Sequence, residues 1–262
     1  MKIYSKILSA ILALSLVPLA LSLISPQSSY AAKPASKSIS GVTADKLLKA
    51  AYAKSRDHIS KSPYTIKTSQ YNQDKSIKTG NYSADKNGNV ANRPLDGSEA
   101  ILIGNDYFTT EETGLNADDL AIAKDLGLNT TAKFSHMKVT ELQPPMSIKE
   151  WNQTLRLTAI FNFVGSTFPL AATMKDYPKS KLTLKTEGKK QTITFSHSLI
   201  GSRDVWTINN GMVTSFEIYN SKNKIEYKQT FELTAAEITL PTGPFFELSV
   251  LLADPRFQAL QG

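Results

Sequence analysis

Five segments in the last third of the chain alternate apolar and polar residues: Lys181 to Glu187, Gln191 to Leu199, Asp204 to Ile208, Val213 to Tyr219 and Lys224 to Leu233. Side chains of a strand project to opposite faces in turn, so this period of two predicts strands with one buried and one wet face. In the last of them Ile225, Tyr227, Phe231 and Leu233 point one way, and Glu226, Lys228, Thr230 and Glu232 the other. The connections are short and rich in turn formers, Glu187-Gly-Lys189, Asn209-Asn-Gly211 and Asn220-Ser-Lys-Asn223. Short links between one-faced strands mean an antiparallel meander, and no parallel crossover rhythm accompanies it.

The same period governs much of the first half. Tyr64 to Tyr71 and Ser76 to Tyr82 read as strands, Lys86-Asn-Gly-Asn89 and Gly104-Asn-Asp106 as hairpin turns, and Tyr107 to Thr110 as a strand pairing back. Ala100-Ile-Leu-Ile103 is apolar on both faces, which predicts a strand covered on both sides. His136 to Leu142 reads as a strand or extended connector halted by Pro144-Pro145. Helical spacing appears in three places. Thr43 caps a helix carrying Leu47, Leu48, Ala51, Tyr52 and Ile59, Asn116 to Leu126 has Asp118 and Asp119 in its first turn, and Ser147 starts a long helix at Ile148. Together these elements predict an α+β fold: a large antiparallel sheet of about ten strands with two or three helices on one face. A sheet that wide coils, which creates a concave side.

The N-terminus reads as an address. Met1 to Lys6 is short and basic, Ile7 to Ile24 is apolar but broken by Pro18, and Ser29-Tyr30-Ala31 fits the small-x-small rule of a cleavage site. This is the pattern of a secretory signal peptide over residues 1–31, followed by a flexible linker over 32–42 and one domain over 43–262. The chain contains no cysteine. Disulfides, Cys-ligated zinc, a thiol nucleophile and an acylated lipoprotein cysteine are therefore excluded. The expected protein is exported (periplasmic, envelope-associated or secreted), not lipid-anchored, and probes its surroundings as a monomer.

The formal charge is +7, and loss of residues 1–31 would remove Lys2 and Lys6 and no acid, leaving +5. The lysines are spread along strands, which protects edges and also suits an anionic envelope surface. No basic run with interleaved aromatics points to nucleic acid. Catalytic motifs are missing: no His-Glu-x-x-His, nucleophile elbow or phosphate loop occurs, and His58, His136 and His197 match no metal spacing. His58 reads as solvated and His197, alternating with Phe195 and Leu199, as a satisfied core or pocket histidine. No cofactor, metal or catalytic residue is expected.

Leu157 to Met174 carries no charge, yet Asn162, Gly165, Ser166 and Pro169 make it too polar and broken to span a membrane. Four rings, Trp151, Phe161, Phe163 and Phe168, lie in an eighteen-residue window, and Leu157, Ile160, Phe161, Phe163 and Val164 spread round more than half a helix. Two readings follow: a core helix with its loop packed on the sheet, or a helix and loop lining or closing a ligand cavity.

The order of parts supplies one more indication. An opening amphipathic helix leads through Ser62-Pro-Tyr-Thr-Ile-Lys-Thr68 into a meander. A strand–turn–strand follows at Gly97-Ser-Glu-Ala-Ile-Leu-Ile-Gly-Asn-Asp-Tyr-Phe108, then a broken apolar helix and long alternating strands. This resembles the bacterial LolA/LolB lipoprotein-carrier superfamily, including the LppX/LprG lipid-binding branch, over most of residues 43–240. The resemblance implies a half-barrel whose concave face is capped by helices over a hydrophobic cavity for acyl chains. By position in that fold, Trp151, Leu155, Phe161, Phe163 and Phe168 would be cavity or lid residues. The implied partner is an amphiphilic lipid or a lipoprotein acyl chain. The alternative is a non-enzymatic envelope interaction or sensor domain with a filled core, and an exported hydrolase ranks third.

Overall fold

The structure is a computed structural model that describes residues 36–110, 115–141, 147–163 and 169–261. The expected signal peptide, the Pro144-Pro145 stop, Gly165 and Phe168 lie outside them. The described residues belong to one compact unit.

Among the described residues thirteen strands form a single open sheet. They are β1 (Ser36–Ser38), β2 (Tyr64–Tyr71), β3 (Ile77–Ala84), β4 (Val90–Arg93), β5 (Ala100–Ile103), β6 (Asp106–Thr109), β7 (Phe134–Lys138), β8 (Lys181–Glu187), β9 (Lys190–Ser196), β10 (Arg203–Asn209), β11 (Met212–Tyr219), β12 (Ile225–Glu232) and β13 (Phe245–Glu247). Their order is β1-β8-β9-β10-β11-β12-β2-β3-β4-β5-β6-β7-β13. Two meanders, β8 to β12 and β2 to β7, are joined where β12 pairs antiparallel with β2. Among the described residues six α-helices accompany the sheet: α1 (Gly41–Lys61), α2 (Ala117–Asp125), α3 (Ile148–Phe163), α4 (Leu170–Asp176), α5 (Leu248–Ala253) and α6 (Pro255–Gln261). The α+β class and the one-faced strands agree with the sequence reading.

Three features correct it. The sheet has more strands than the ten expected, because short strands escape a periodicity that needs several residues to register. It is also mixed, since β13 pairs parallel with β7. Three residues in parallel carry no rhythm of their own. Finally, Ser36 to Ser38 of the expected linker pairs with Thr183 to Lys185 of β8, and α1 begins at Gly41, capped by Ser40 and not by Thr43.

Pleating dictates which residues meet the helices. Ile193 and Phe195 of β9, Trp206 and Ile208 of β10, Val213 and Phe216 of β11, Phe231 of β12, Ile66 of β2 and Tyr82 of β3 are all buried in the main core. Leu48, Ala51, Tyr52 and Ile59 of α1 and Leu155, Ala159 and Phe163 of α3 complete it. The sequence expectation for Ala100 to Ile103 holds. Leu102 enters this core, while Ile101 enters a second cluster on the opposite face with Phe108, Phe134 and Ile238. A third cluster joins Ala123 of α2 to Phe246, Leu251 and Phe257 at the β13 edge.

His136 fastens that edge. Its Nδ1 lies 2.6 Å from Glu247 Oε2 and its Nε2 2.9 Å from Asp106 Oδ1, so one imidazole links β6, β7 and β13. Its ring also stacks on Phe108. Burial opposes the imidazolium, but hydrogen bonds to Glu247 and Asp106 outweigh it and raise the His136 pKa. A raised folded pKa confers stability that is complete below the unfolded value of about 6.5 and is lost as pH rises through the folded value. The two carboxylates are 40 % and 42 % exposed, so screening limits the effect to about 1 kcal/mol. His136→Asn is expected to lose that amount in urea titrations near pH 6 and almost nothing near pH 9; a pH-independent difference would refute the charged link.

Candidate functional site

An apolar opening lies where α4 crosses the ends of β9 and β10. Residue parity builds its floor: Phe195 and His197 share one face, as do Asp204 and Trp206, and Phe195 pairs with Asp204 in register. Leu170, Thr173 and Tyr177 form the opposite wall, and Leu199 and Ile200 of the β9–β10 turn complete the rim. The cavity measures about 310 Å³, within the range of small-ligand sites.

Two contacts hold α4 at this distance. Asp45 of α1 accepts from the backbone N–H groups of Leu170 (2.8 Å) and Ala171 (3.0 Å), which neutralises the exposed start of α4. Gly41 supplies the clearance, because a Cβ there would stand 2.5 Å from Ala171 Cα. The helices α1 and α4 are thus as close as their backbones allow.

His197 and Asp204 are the polar members of an otherwise apolar floor. His197 Nε2 sits 3.1 Å from Asp204 Oδ2. Burial raises the Asp204 pKa against the opposing bond from His197. The His197 reading is therefore met, as a pocket histidine. His58 differs from expectation: it is half-buried, with Nε2 2.9 Å from Pro63 O and its ring edge-on to Phe231.

The residues singled out by sequence are dispersed. Leu155 and Phe163 are buried in the main core, Phe163 against Tyr52 and Phe231. Trp151 meets the Tyr107 ring edge-on at 5.0 Å. Phe161 faces solvent at 68 % exposure. Phe168 lies outside the described residues. None of the four described ones lines the cavity. Thr173, Tyr177, Asp204 and Trp206 were not indicated by sequence. One signal was legible in principle: Ser198-Leu-Ile-Gly201 puts two large aliphatic residues into a turn, where packing cannot account for them.

A second, polar depression on the opposite face is lined by Lys67, Arg93, Glu232 and Glu237. Lys67 is bonded to Glu232 and Arg93 to Glu99, so these cations are already paired. Among the described residues no group of three His, Asp or Glu side chains is arranged to hold a metal ion, and no helix is long and apolar enough to cross a membrane.

No protein-family model matches the chain, and no curated protein matches it. Among solved structures, the budding yeast Cdc5 polo-box domain in complex with a Spc72 phosphopeptide is similar at 11 % identity, covering 86 % of this chain and 80 % of that one, with a TM-score of 0.16. A likeness at that level bears on neither fold nor function.

Proposed function

We propose that the chain is a soluble exported carrier or binding protein that holds an acyl chain of a lipid or lipoprotein, on a coiled half-barrel sheet, with residues 1–31 directing export to the periplasm, envelope or exterior. The observation that carries this reading is the open apolar cavity between α4 and β9–β10, with Leu199 and Ile200 exposed at its mouth. Such a site needs no chemical step. Each buried methylene contributes ~0.8 kcal/mol, so a modest length of chain suffices for micromolar affinity. The His197–Asp204 pair offers one polar contact for the ligand's head.

Uptake of a fluorescent fatty acid, together with native mass spectrometry of freshly recovered protein, tests the proposal. The expected result is stoichiometric binding, weakened about tenfold by Thr173→Trp, which displaces roughly two methylenes' worth of ligand. Folded wild-type protein that never carries or takes up an acyl chain would remove the reading. That outcome would favour an envelope interaction or sensor domain, a reading supported by the filled core under α1 and α3, where Tyr52, Tyr64 and Phe163 are almost wholly buried.

A further inference from the structure

One end of the sheet collects apolar tips and cations together. The antiparallel order brings the β9–β10 turn, the β11–β12 turn, the β2–β3 turn and the α4–β8 connection to the same end. The β9–β10 turn exposes Leu199 at 74 % and Ile200 at 62 %, and Tyr177 of the α4–β8 connection is 41 % exposed. The β2–β3 turn adds Ile77 at 56 %.

The turns are tied to one another. Ser180 Oγ accepts from Ser198 N at 3.0 Å, which joins the α4–β8 connection to the β9–β10 turn. Gly201, at φ +65°, allows that turn to approach Ser221 of the β11–β12 turn, whose Cβ would lie 3.3 Å from a Cβ at 201.

Around these tips stand Lys175, Lys179 and Lys181 from α4 and the start of β8, and Lys222 and Lys224 from the β11–β12 turn, all exposed. Lys75 and Lys78 flank Ile77, and Arg203 opens β10. Among the described residues the exposed acids at this end are Asp74, Asp96 of the β4–β5 turn, Asp176 and Glu226, and Asp96 is engaged by Ser98 within its own turn. Asp74 is engaged by Ser76 within its own turn, and Glu226 by Asn220. The balance is strongly positive.

Large aliphatic tips standing in water, rimmed by flexible cations with apolar stems, match the two layers of an anionic bilayer surface: acyl boundary and phosphate headgroups. We propose that this end of the sheet docks on an anionic lipid bilayer, with Leu199 and Ile200 entering the acyl boundary and the surrounding lysines engaging headgroup phosphates. The same two residues rim the cavity, so docking sets its mouth against the membrane. The surface alone carries this inference, and it stands whether or not the cavity takes an acyl chain.

The chain has no cysteine, so single labels report position cleanly. An environment-sensitive dye on Leu199→Cys is compared with the same dye on Thr186→Cys, an exposed site at the opposite end of β8. The full chain is mixed with vesicles of equal parts phosphatidylglycerol and phosphatidylcholine, or of phosphatidylcholine alone. The expected result is a blue shift at position 199 only, on the anionic vesicles only, reversed by high salt. Lys222→Ser is expected to weaken this response about fivefold, the equivalent of ~1 kcal/mol for one surface lysine. Leu199 and Ile200 are exposed and belong to none of the core clusters, so Leu199→Asp with Ile200→Asp is expected to keep the fold, checked by circular dichroism, and to abolish the shift of a dye at Ser221→Cys. Equal shifts at positions 199 and 186, equal response to both vesicle types, or no response at all would overturn docking by this end. Fatty-acid uptake measured without vesicles reports separately on the cavity.

Discussion

Arg156→Ala is expected to lower the unfolding free energy by about 3 kcal/mol, because it strips a buried cation from three acceptors at once. Arg156 is 7 % exposed. Its Nη1 donates to Ile59 O at 2.6 Å and Ser62 O at 2.9 Å, and its Nε to Asn152 Oδ1 at 2.8 Å. Those two carbonyls are at the C-terminus of α1, where unpaired C=O groups and the negative end of the helix dipole favour a cation. The guanidinium also lies 5.6 Å from the centre of the Tyr64 ring. Burial lowers its pKa, with Tyr64 and Asp85 opposing, but an arginine so placed stays charged at any ordinary pH. Truncation removes the Arg156 donor from Ile59 O and Ser62 O at the junction between α1 and α3. For a domain of this size the loss corresponds to about 6–10 °C in Tm. Arg156→Lys is expected to recover less than half, since one ammonium cannot reproduce the planar fork. Urea titration of the three proteins decides the matter: an alanine variant within about 0.5 kcal/mol of wild type would mean that water replaces the guanidinium.

A loss of about 2–3 kcal/mol is expected for Asp85→Ala, with a dependence on acid that Arg156 lacks. Asp85 follows β3 and is 2 % exposed. It accepts from Asn87 N (2.8 Å), Asn89 N (3.0 Å) and Asn89 Nδ2 (2.9 Å), which shapes the β3–β4 turn, and from Ile238 N (3.1 Å). The last bond anchors the segment between β12 and β13 as it crosses the outer face of the sheet, where Ile238 is buried with Ala91 and Ile101. Burial works against the carboxylate, yet the four donors outweigh it and lower its pKa. A depressed folded pKa confers stability that is present above the unfolded value of about 3.9 and is lost as pH falls through the folded value. The wild type should therefore lose stability in acid relative to Asp85→Asn, which keeps the shape but not the charge. Parallel acid titrations of the two proteins, followed by circular dichroism, check this; superimposable curves would show that the turn does not depend on the ionised form.

The strands and hairpins of the second meander were readable because each buries one face, and burial on one face is what writes a period of two into a sequence. β8 begins and ends where alternation begins and ends, and the 104–106 turn lies between β5 and β6. The start of α2 was similarly visible through Asp118 and Asp119 in its first turn, and the structure adds a capping box in which Asn116 and Asp119 satisfy each other's backbone. Where the structure depends on contacts remote in sequence, nothing local records it. The parallel partner of β7 arrives from residues 245–247. The cavity combines α4 with strands that follow it, and its walls were invisible because Thr173, Tyr177, Asp204 and Trp206 are ordinary strand and helix residues until packing leaves space between them. The aromatic cluster of α3 attracted notice for its bulk, but bulk alone cannot distinguish a side chain filling a core from one lining a void. Phe163 fills and Phe161 protrudes, two residues apart on one helix.

The amino-acid sequence by itself determined the α+β class, the one-faced meander strands, the doubly covered β5 and the absence of any thiol chemistry. These follow from local periodicity and composition, which every residue carries with it. Tertiary structure alone decided that the sheet has thirteen strands in one mixed layer, that α4 stands off β9 and β10 at a distance limited by Gly41 and Asp45, and that Leu199 and Ile200 project beside a ring of lysines. Empty space and surface charge density are properties of how distant segments meet, and no segment encodes them alone.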